Sequence, residues 1–242
     1  MKKEIAVKRR CVKREAGFVE IFSSFQGEGP YVGVRQVFLR FSGCNLACSY
    51  CDTPWDKANF KLNVPEAIAN IRSLDRRRTH HSVSLTGGEP LLNIDFLKEL
   101  LPAVKKNGYK TYLETNGTLA ANFKCVLKYI DIISMDIKLP SSTGGDGLWE
   151  EHSEFLKTAS KKELFVKVIV TEKTSDEDLF KAAAIVGGVN KERIFVIQPD
   201  TSTSYSSVGF DLSRLRMFQE MARRKLKDVR VIPQVHRLIG AR

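Results

Sequence analysis

No stretch of this sequence is apolar over the roughly 20 residues that cross a bilayer. The chain opens on charge, Met1-Lys2-Lys3-Glu4, with no apolar core of a secretory leader behind it. Neither membrane insertion nor export is therefore expected, and a cytoplasmic location is. Internal repeats, Pro- or Gly-rich linkers and low-complexity tracts are also missing, so the chain reads as folded rather than modular. The five cysteines are an odd number with three of them inside eight residues, which is not the pattern of a disulfide framework. Net charge is +11, with basic runs in the first 15 residues, at Arg76-Arg77-Arg78 and after Asp211. No aromatic side chains interleave with these runs as a base-stacking surface requires. The charge reads as a solvated basic surface without a stable nucleic-acid partner.

What is present is a chain of 242 residues, 43% hydrophobic and 28% charged, long enough to bury a full core. We divide it into a basic N-terminal arm over 1–16 and one domain over 17–242. Within that domain apolar runs alternate with helical patterns. Strands are expected at 37–41, 83–85, 109–114, 130–137, 164–170 and 193–197, with a short run at 229–232. Between them, apolar residues recur at helical spacing: Ile68, Ile71 and Leu74 after Pro65; Ile94, Leu97, Leu101 and Val104 before Asn107-Gly108. Further helices are expected over 119–127, around His152 and Phe155, around Leu179 and Ala183, and around Leu215 and Phe218. Six βα units imply an α/β fold with a parallel sheet and right-handed crossovers, either open or a partial barrel. In either case chemistry belongs at the C-terminal ends of the strands. Cys44, Gly87-Gly88-Glu89, Asn116-Gly117, Lys138 and Gln198 all fall there.

Cys44, Cys48 and Cys51 have the spacing C-x3-C-x2-C. Three thiolates on one loop suit three irons of a 4Fe–4S cluster, whereas structural zinc wants four closed ligands. Cys125, in an apolar helical context, reads as a small buried hydrophobe, and Cys11 has no partner spacing. His80-His81 reads as a solvated loop, and His152 as a packed residue of an inward helix face.

This cysteine pattern, with Tyr50 before its last member, resembles the radical S-adenosylmethionine (SAM) enzymes. Thr86-Gly87-Gly88-Glu89-Pro90 is similar to their GGEP element. The resemblance implies a partial (β/α)6 barrel. It also implies a cluster whose open iron chelates SAM, and reductive cleavage to methionine and a 5′-deoxyadenosyl radical that abstracts hydrogen. Within that superfamily, Phe25-Gln26-Gly27-Glu28-Gly29-Pro30, Cys51-Asp52-Thr53 and Pro233-Gln234-Val235-His236 together resemble the 7-carboxy-7-deazaguanine synthase family of queuosine and archaeosine biosynthesis. The implied reaction contracts 6-carboxy-5,6,7,8-tetrahydropterin with loss of ammonia, using Mg²⁺ and a regenerated SAM.

By the same resemblance, Phe25, Gln26, Gly27, Arg40 and Thr86 would meet the pterin, Arg40 at its carboxylate. Thr53 would be the Mg²⁺ ligand. Tyr50, Cys51, Asp52, Gly88, Asp136, Ile137, Lys138 and Gln198 would meet SAM, Gly88 by letting the backbone approach the methionine moiety. Asp136-Ile137-Lys138 stands where the family often reads S-P-K. Gln234 and His236, alternating in an extended run, would face one side. A flavodoxin or ferredoxin would supply the electron, and a homodimer is implied. Two other readings compete: a glycyl-radical activase, which shares the cysteine spacing without needing Gln26-Gly27 or Thr53, and a zinc- or cluster-bearing RNA-binding protein.

Overall fold

The computed structural model describes residues 14–51, 53–54, 56–200 and 211–241. Among the described residues nine strands and eight α-helices follow one another in βα alternation after an initial antiparallel section. In chain order they are β1 (Glu15–Phe25), β2 (Arg35–Phe41), β3 (Phe60–Asn63), α1 (Val64–Leu74), β4 (Ser82–Gly87), α2 (Ile94–Lys106), β5 (Thr111–Thr115), α3 (Ala120–Val126) and β6 (Ile132–Asp136). Then come α4 (Pro140–Thr143), α5 (Trp149–Thr158), β7 (Glu163–Val170), α6 (Asp176–Val189), β8 (Phe195–Pro199), α7 (Leu212–Arg223), β9 (Val229–Val231) and α8 (Val235–Leu238).

All nine strands form one sheet in the order β3-β1-β2-β4-β5-β6-β7-β8-β9. From β2 to β9 every pairing is parallel, while β1 runs antiparallel to both β2 and β3. The fold is α/β, a partial barrel with a mostly parallel sheet. Its parallel strands are near-continuous apolar runs because both faces are covered: Val37, Leu39, Phe41, Val83, Leu85, Val166 and Val168 are fully buried. Most of the core lies between the helices and the sheet. A smaller cluster of Tyr112, Ile132, Phe165 and Val196 packs elsewhere with Tyr31 and Ile232.

Local chemistry explains the element ends. Asn63 caps α1 by accepting from the Glu66 amide while the Glu66 side chain accepts from the Asn63 amide, and Pro65 sits in the first turn. The chain leaves α2 through Asn107 and Gly108, the glycine at φ +77°. Ser175 caps α6.

Four expectations are corrected. β1 and β3 are absent from the sequence-based strands. The third parallel strand starts at Thr111 because Tyr109 still bonds back to Val104 of α2 and lies under Arg78. His80 is not in a solvated loop: its side chain is 1% exposed, with Nδ1 2.7 Å from Asp75 Oδ1 and Nε2 2.6 Å from the Ser23 hydroxyl, which ties the α1–β4 loop to β1. Cys125 is exposed on α3 rather than buried. His152 is packed as expected, 0% exposed. Among the described residues no helix is long and apolar enough to cross a membrane.

Candidate active site

The cysteine loop leaves the C-terminal end of β2. Cys44 and Cys48 are half-buried and Cys51 is exposed. The loop is held from outside itself: the Ser49 amide donates to Thr143 O at 3.0 Å and its hydroxyl to Ser142 O at 3.0 Å. Behind Cys44 the backbone of the β4 end is in close contact. The Glu89 amide donates to Gly43 O at 2.9 Å, and a Cβ on Gly88 would lie 2.0 Å from that same carbonyl oxygen and 3.1 Å from Cys44 Cβ. Burial pushes the Cys44 and Cys48 thiols up, so the positive charge of a bound metal would be needed to hold them as thiolates. Among the described residues no three Cys, His, Asp or Glu side chains are gathered around a single ion site. Three thiols on one loop suit a cluster in which each thiolate binds a separate iron.

The loop forms one wall of a cavity enclosing about 1290 Å³, open solvent at its mouth included. Cys44, Cys48, Tyr50, Cys51 and Thr53 line it from the loop. Phe25, Gln26 and Gly27 line it from the end of β1, and Arg40, Thr86, Gly88, Asp136, Lys138 and Gln198 from the ends of the parallel strands. Two expected residues are not in this set. Ile137 is fully buried in the main core, with its amide bonded to Lys167 O. Asp52 lies outside the described residues.

Two polar groupings divide the cavity. In the first, Gln26 Nε2 donates to Glu114 Oε1 at 2.9 Å and Gln36 Oε1 at 3.1 Å, and Thr86 Oγ1 donates to Glu114 Oε2 at 2.8 Å. Arg40 Nε pairs with Glu20 at 2.9 Å and its Nη1 donates to Thr53 Oγ1 at 3.4 Å, with the guanidinium over the Phe22 ring. In the second, Lys138 Nζ meets Asp136 Oδ2 at 2.9 Å and lies over the Tyr50 ring, while Lys167 reaches Asp136 Oδ2 at 3.5 Å and pairs with Glu28. Burial opposes charge on Lys138, but the Asp136 carboxylate outweighs it and holds the ammonium well above its ordinary range. Burial likewise opposes charge on Glu28. The Lys167 ammonium and the Gln234 amide prevail, bringing its carboxyl down to about 2.

The open side of the barrel, between the β3–β1 edge and β9, is bridged at the site by the segments that follow β1 and β9. The Val235 amide donates to Gly27 O at 2.9 Å, and Gln234 Nε2 donates to Glu28 Oε1 at 2.7 Å. Gln234 and His236 both line the cavity, but the extended run expected there is instead the entry to α8.

Comparison with known proteins fits this geometry. The model of the radical SAM superfamily matches residues 39–186. A 7-carboxy-7-deazaguanine synthase of Geobacter sulfurreducens is 40% identical over 94% of this chain and 98% of its own length. The chain belongs to the 7-carboxy-7-deazaguanine synthase family. An enzyme of that name from Methanothermobacter thermautotrophicus is 36% identical over 94% of this chain and 98% of its own length. The solved structure of QueE from Escherichia coli, 22% identical, superposes with a TM-score of 0.63 over 92% of this chain and 95% of that one, which shows the shared fold.

As a radical SAM enzyme of this family, the protein uses a 4Fe–4S cluster and SAM, and its residues fit both. The donor set is the three loop thiols of Cys44, Cys48 and Cys51. Buried polar atoms line the cavity without partners: Asp136 Oδ1 and Gln198 Oε1, each an acceptor waiting for a ligand donor.

The structure adds residues to which the sequence reading gave no role. Glu28, Glu114 and Lys167 line the cavity, as does Asn116, already placed at a strand end. Glu114 and Lys167 carried a usable signal, since each is a charge inside an otherwise apolar buried strand, where an unpaired ion is costly. Glu28, taken alone, is indistinguishable from a surface residue beside a turn glycine.

Proposed function

We propose that this family member converts 6-carboxy-5,6,7,8-tetrahydropterin to 7-carboxy-7-deazaguanine with loss of ammonia, as a step of 7-deazapurine biosynthesis. The observation that carries the reading is the single cavity in which the cysteine loop faces both polar groupings. One of these suits a heterocycle edge and the other a charged nucleoside. When bound, the cluster and SAM supply a radical for hydrogen-atom abstraction from the substrate; the protein supplies position and shelter.

Phe25, Gln26, Gly27 and Thr86 form the pterin subsite. Glu114 holds the Gln26 and Thr86 polar groups in a fixed direction, so the ring edge meets an organised set of donors and acceptors. Arg40, oriented by Glu20, presents paired N–H groups to the pterin carboxylate. Thr53 is the Mg²⁺ ligand. A lone hydroxyl binds that ion weakly, so substrate oxygens and water complete the octahedron and the metal comes with the substrate. Tyr50, Cys51, Asp52, Gly88, Asp136, Lys138 and Gln198 receive SAM. Ile137, being core, contributes through its backbone alone. The reductant is a flavodoxin or ferredoxin, drawn by the +11 net charge. The enzyme is a cytoplasmic homodimer with a single catalytic domain behind the basic arm; the domain takes in Glu15 and Ala16, which open β1.

The test is anaerobic turnover of iron–sulfide-reconstituted protein with SAM, Mg²⁺, dithionite and 6-carboxytetrahydropterin, with products read by mass. Deazaguanine carboxylate in excess over 5′-deoxyadenosine supports the reaction and the regenerated cofactor. Formation of 5′-deoxyadenosine without it leaves the radical machinery standing and overturns the substrate.

A further inference from the structure

Asn45 follows Cys44 directly, yet it does not line the cavity, and its side chain is committed elsewhere. Asn116 Nδ2 donates to Asn45 Oδ1 at 2.9 Å; Asn45 Nδ2 donates to Thr118 Oγ1 at 2.9 Å; Thr118 Oγ1 donates to Asn116 Oδ1 at 2.6 Å. The three side chains close a ring of one donor and one acceptor each, and the Thr118 backbone amide, which donates to Asn116 Oδ1 at 3.1 Å, fixes the direction in which both side-chain amides are turned. The ring is anchored in the core. The Asn116 amide donates to the fully buried Glu89 carboxylate at 2.8 Å, and Asn116 O accepts from His152 Nε2 at 3.1 Å.

Asn45 is exposed. Burial therefore does not fix it; the ring does. The opposite half of the loop has its own tether through Ser49, so the ring governs the Cys44 end. That end stands against Gly88, where the β4 backbone borders the cavity.

We propose that Asn45 and Thr118 are positioning residues: with Asn116 they fix the direction in which the Cys44 end of the loop faces, and so set the affinity for SAM without setting the capacity to hold iron. The proposal rests on the radical SAM reading above. It differs from a structural role in what it moves. Neither Asn45 nor Thr118 borders the cavity, so their removal reaches SAM only through the loop. Because the ring closes on itself, opening it at either residue releases the same constraint.

The experiment uses reconstituted, anaerobic full-length protein. Iron and sulfide content, the EPR spectrum of the reduced cluster with and without SAM, and the SAM Kd are measured for wild type, Asn45→Ala, Thr118→Val, Thr118→Ser and the Asn45→Ala/Thr118→Val double variant. Asn45→Ala and Thr118→Val should each keep the wild-type iron content and weaken SAM binding by about tenfold. Each should also show a diminished change of the EPR spectrum on SAM addition. The double variant should be no weaker than either single one, and Thr118→Ser, which keeps the hydroxyl, should behave as wild type. Unchanged SAM Kd in both single variants overturns the proposal, as does independent addition in the double variant. So does loss of iron in step with loss of SAM binding. If the wild-type cluster itself fails to bind SAM, the underlying radical SAM reading is what falls.

Discussion

Gly88 shows how a single residue type can be demanded by the protein before any ligand arrives. The sequence reading gives its missing side chain to the approach of SAM. The structure gives it a second cause, since a Cβ would stand 2.0 Å from Gly43 O, and backbone cannot swing aside as a side chain can. In Gly88→Ala the β4 end and the cysteine loop must part, at a cost of about 1–3 kcal/mol for overpacking. We expect lower iron retention after reconstitution together with a lower urea midpoint. Full iron content with unchanged stability would show that the two segments separate freely.

His152 makes a second residue-scale prediction. Burial brings its pKa down to about 4 from 6.5, which keeps the ring neutral near pH 7, and the bond from Nε2 to a carbonyl places the neutral ring's proton on Nε2. Above pH 6.5 the imidazole is neutral in both folded and unfolded chains. Between 6.5 and about 4 the unfolded chain takes up a proton that the folded one refuses, so stability falls as the pH falls. The full difference amounts to roughly 3 kcal/mol. His152→Gln keeps a donor and cannot titrate, so urea midpoints of the variant should fall less than wild type between pH 7 and 4. Parallel pH profiles would refute the assignment.

At the scale of elements, legibility followed burial. The parallel strands were readable because a strand covered on both faces is a continuous apolar run bounded by turns, as in Val83-Ser84-Leu85. The helices were readable from one apolar face each. β1 was not, because its burial alternates irregularly and it carries Gly17, Ser23 and Ser24 next to a basic stretch. β3 is only four residues long and two of them are exposed. The site divided the same way. The cysteines and the GGEP element are local patterns. Glu28, Lys167 and Glu114 acquire meaning only when strands distant in sequence set them side by side.

Asn63 joins two of these elements, since it pairs with Glu15 at the end of β3 and caps α1. Asn63→Ala removes the cap and leaves the Glu66 amide without its acceptor, which should cost about 1 kcal/mol. The urea midpoint should drop with the m-value unchanged. No loss at all would mean that water replaces the cap.

Over the whole molecule the sheet does not close on itself, and across the gap between the β3–β1 edge and β9 the segments after β1 and β9 are joined by polar contacts. Glu28 is their hub: it pairs with Lys167 of β7 and accepts from Gln198 of β8 at 3.1 Å and from Gln234 beyond β9 at 2.7 Å. One carboxylate thus ties the segment after the first strand to three later ones, and a buried charge can do this only while its counter-charge remains. In Lys167→Met the apolar stem is kept and the ammonium is lost, stranding the largely buried Glu28 carboxylate at the cavity wall. The expected cost is about 3–5 kcal/mol, the usual penalty for halving a buried ion pair. Adding Glu28→Gln removes the orphaned charge while keeping groups that can bond Gln198 and Gln234, so the double variant should recover a large part of that loss. Urea unfolding of the wild type, both single variants and the double variant gives the coupling directly. A double variant no more stable than Lys167→Met would show that the ammonium acts through Asp136, and that the seam is held by the Val235–Gly27 backbone bond and the packing around it.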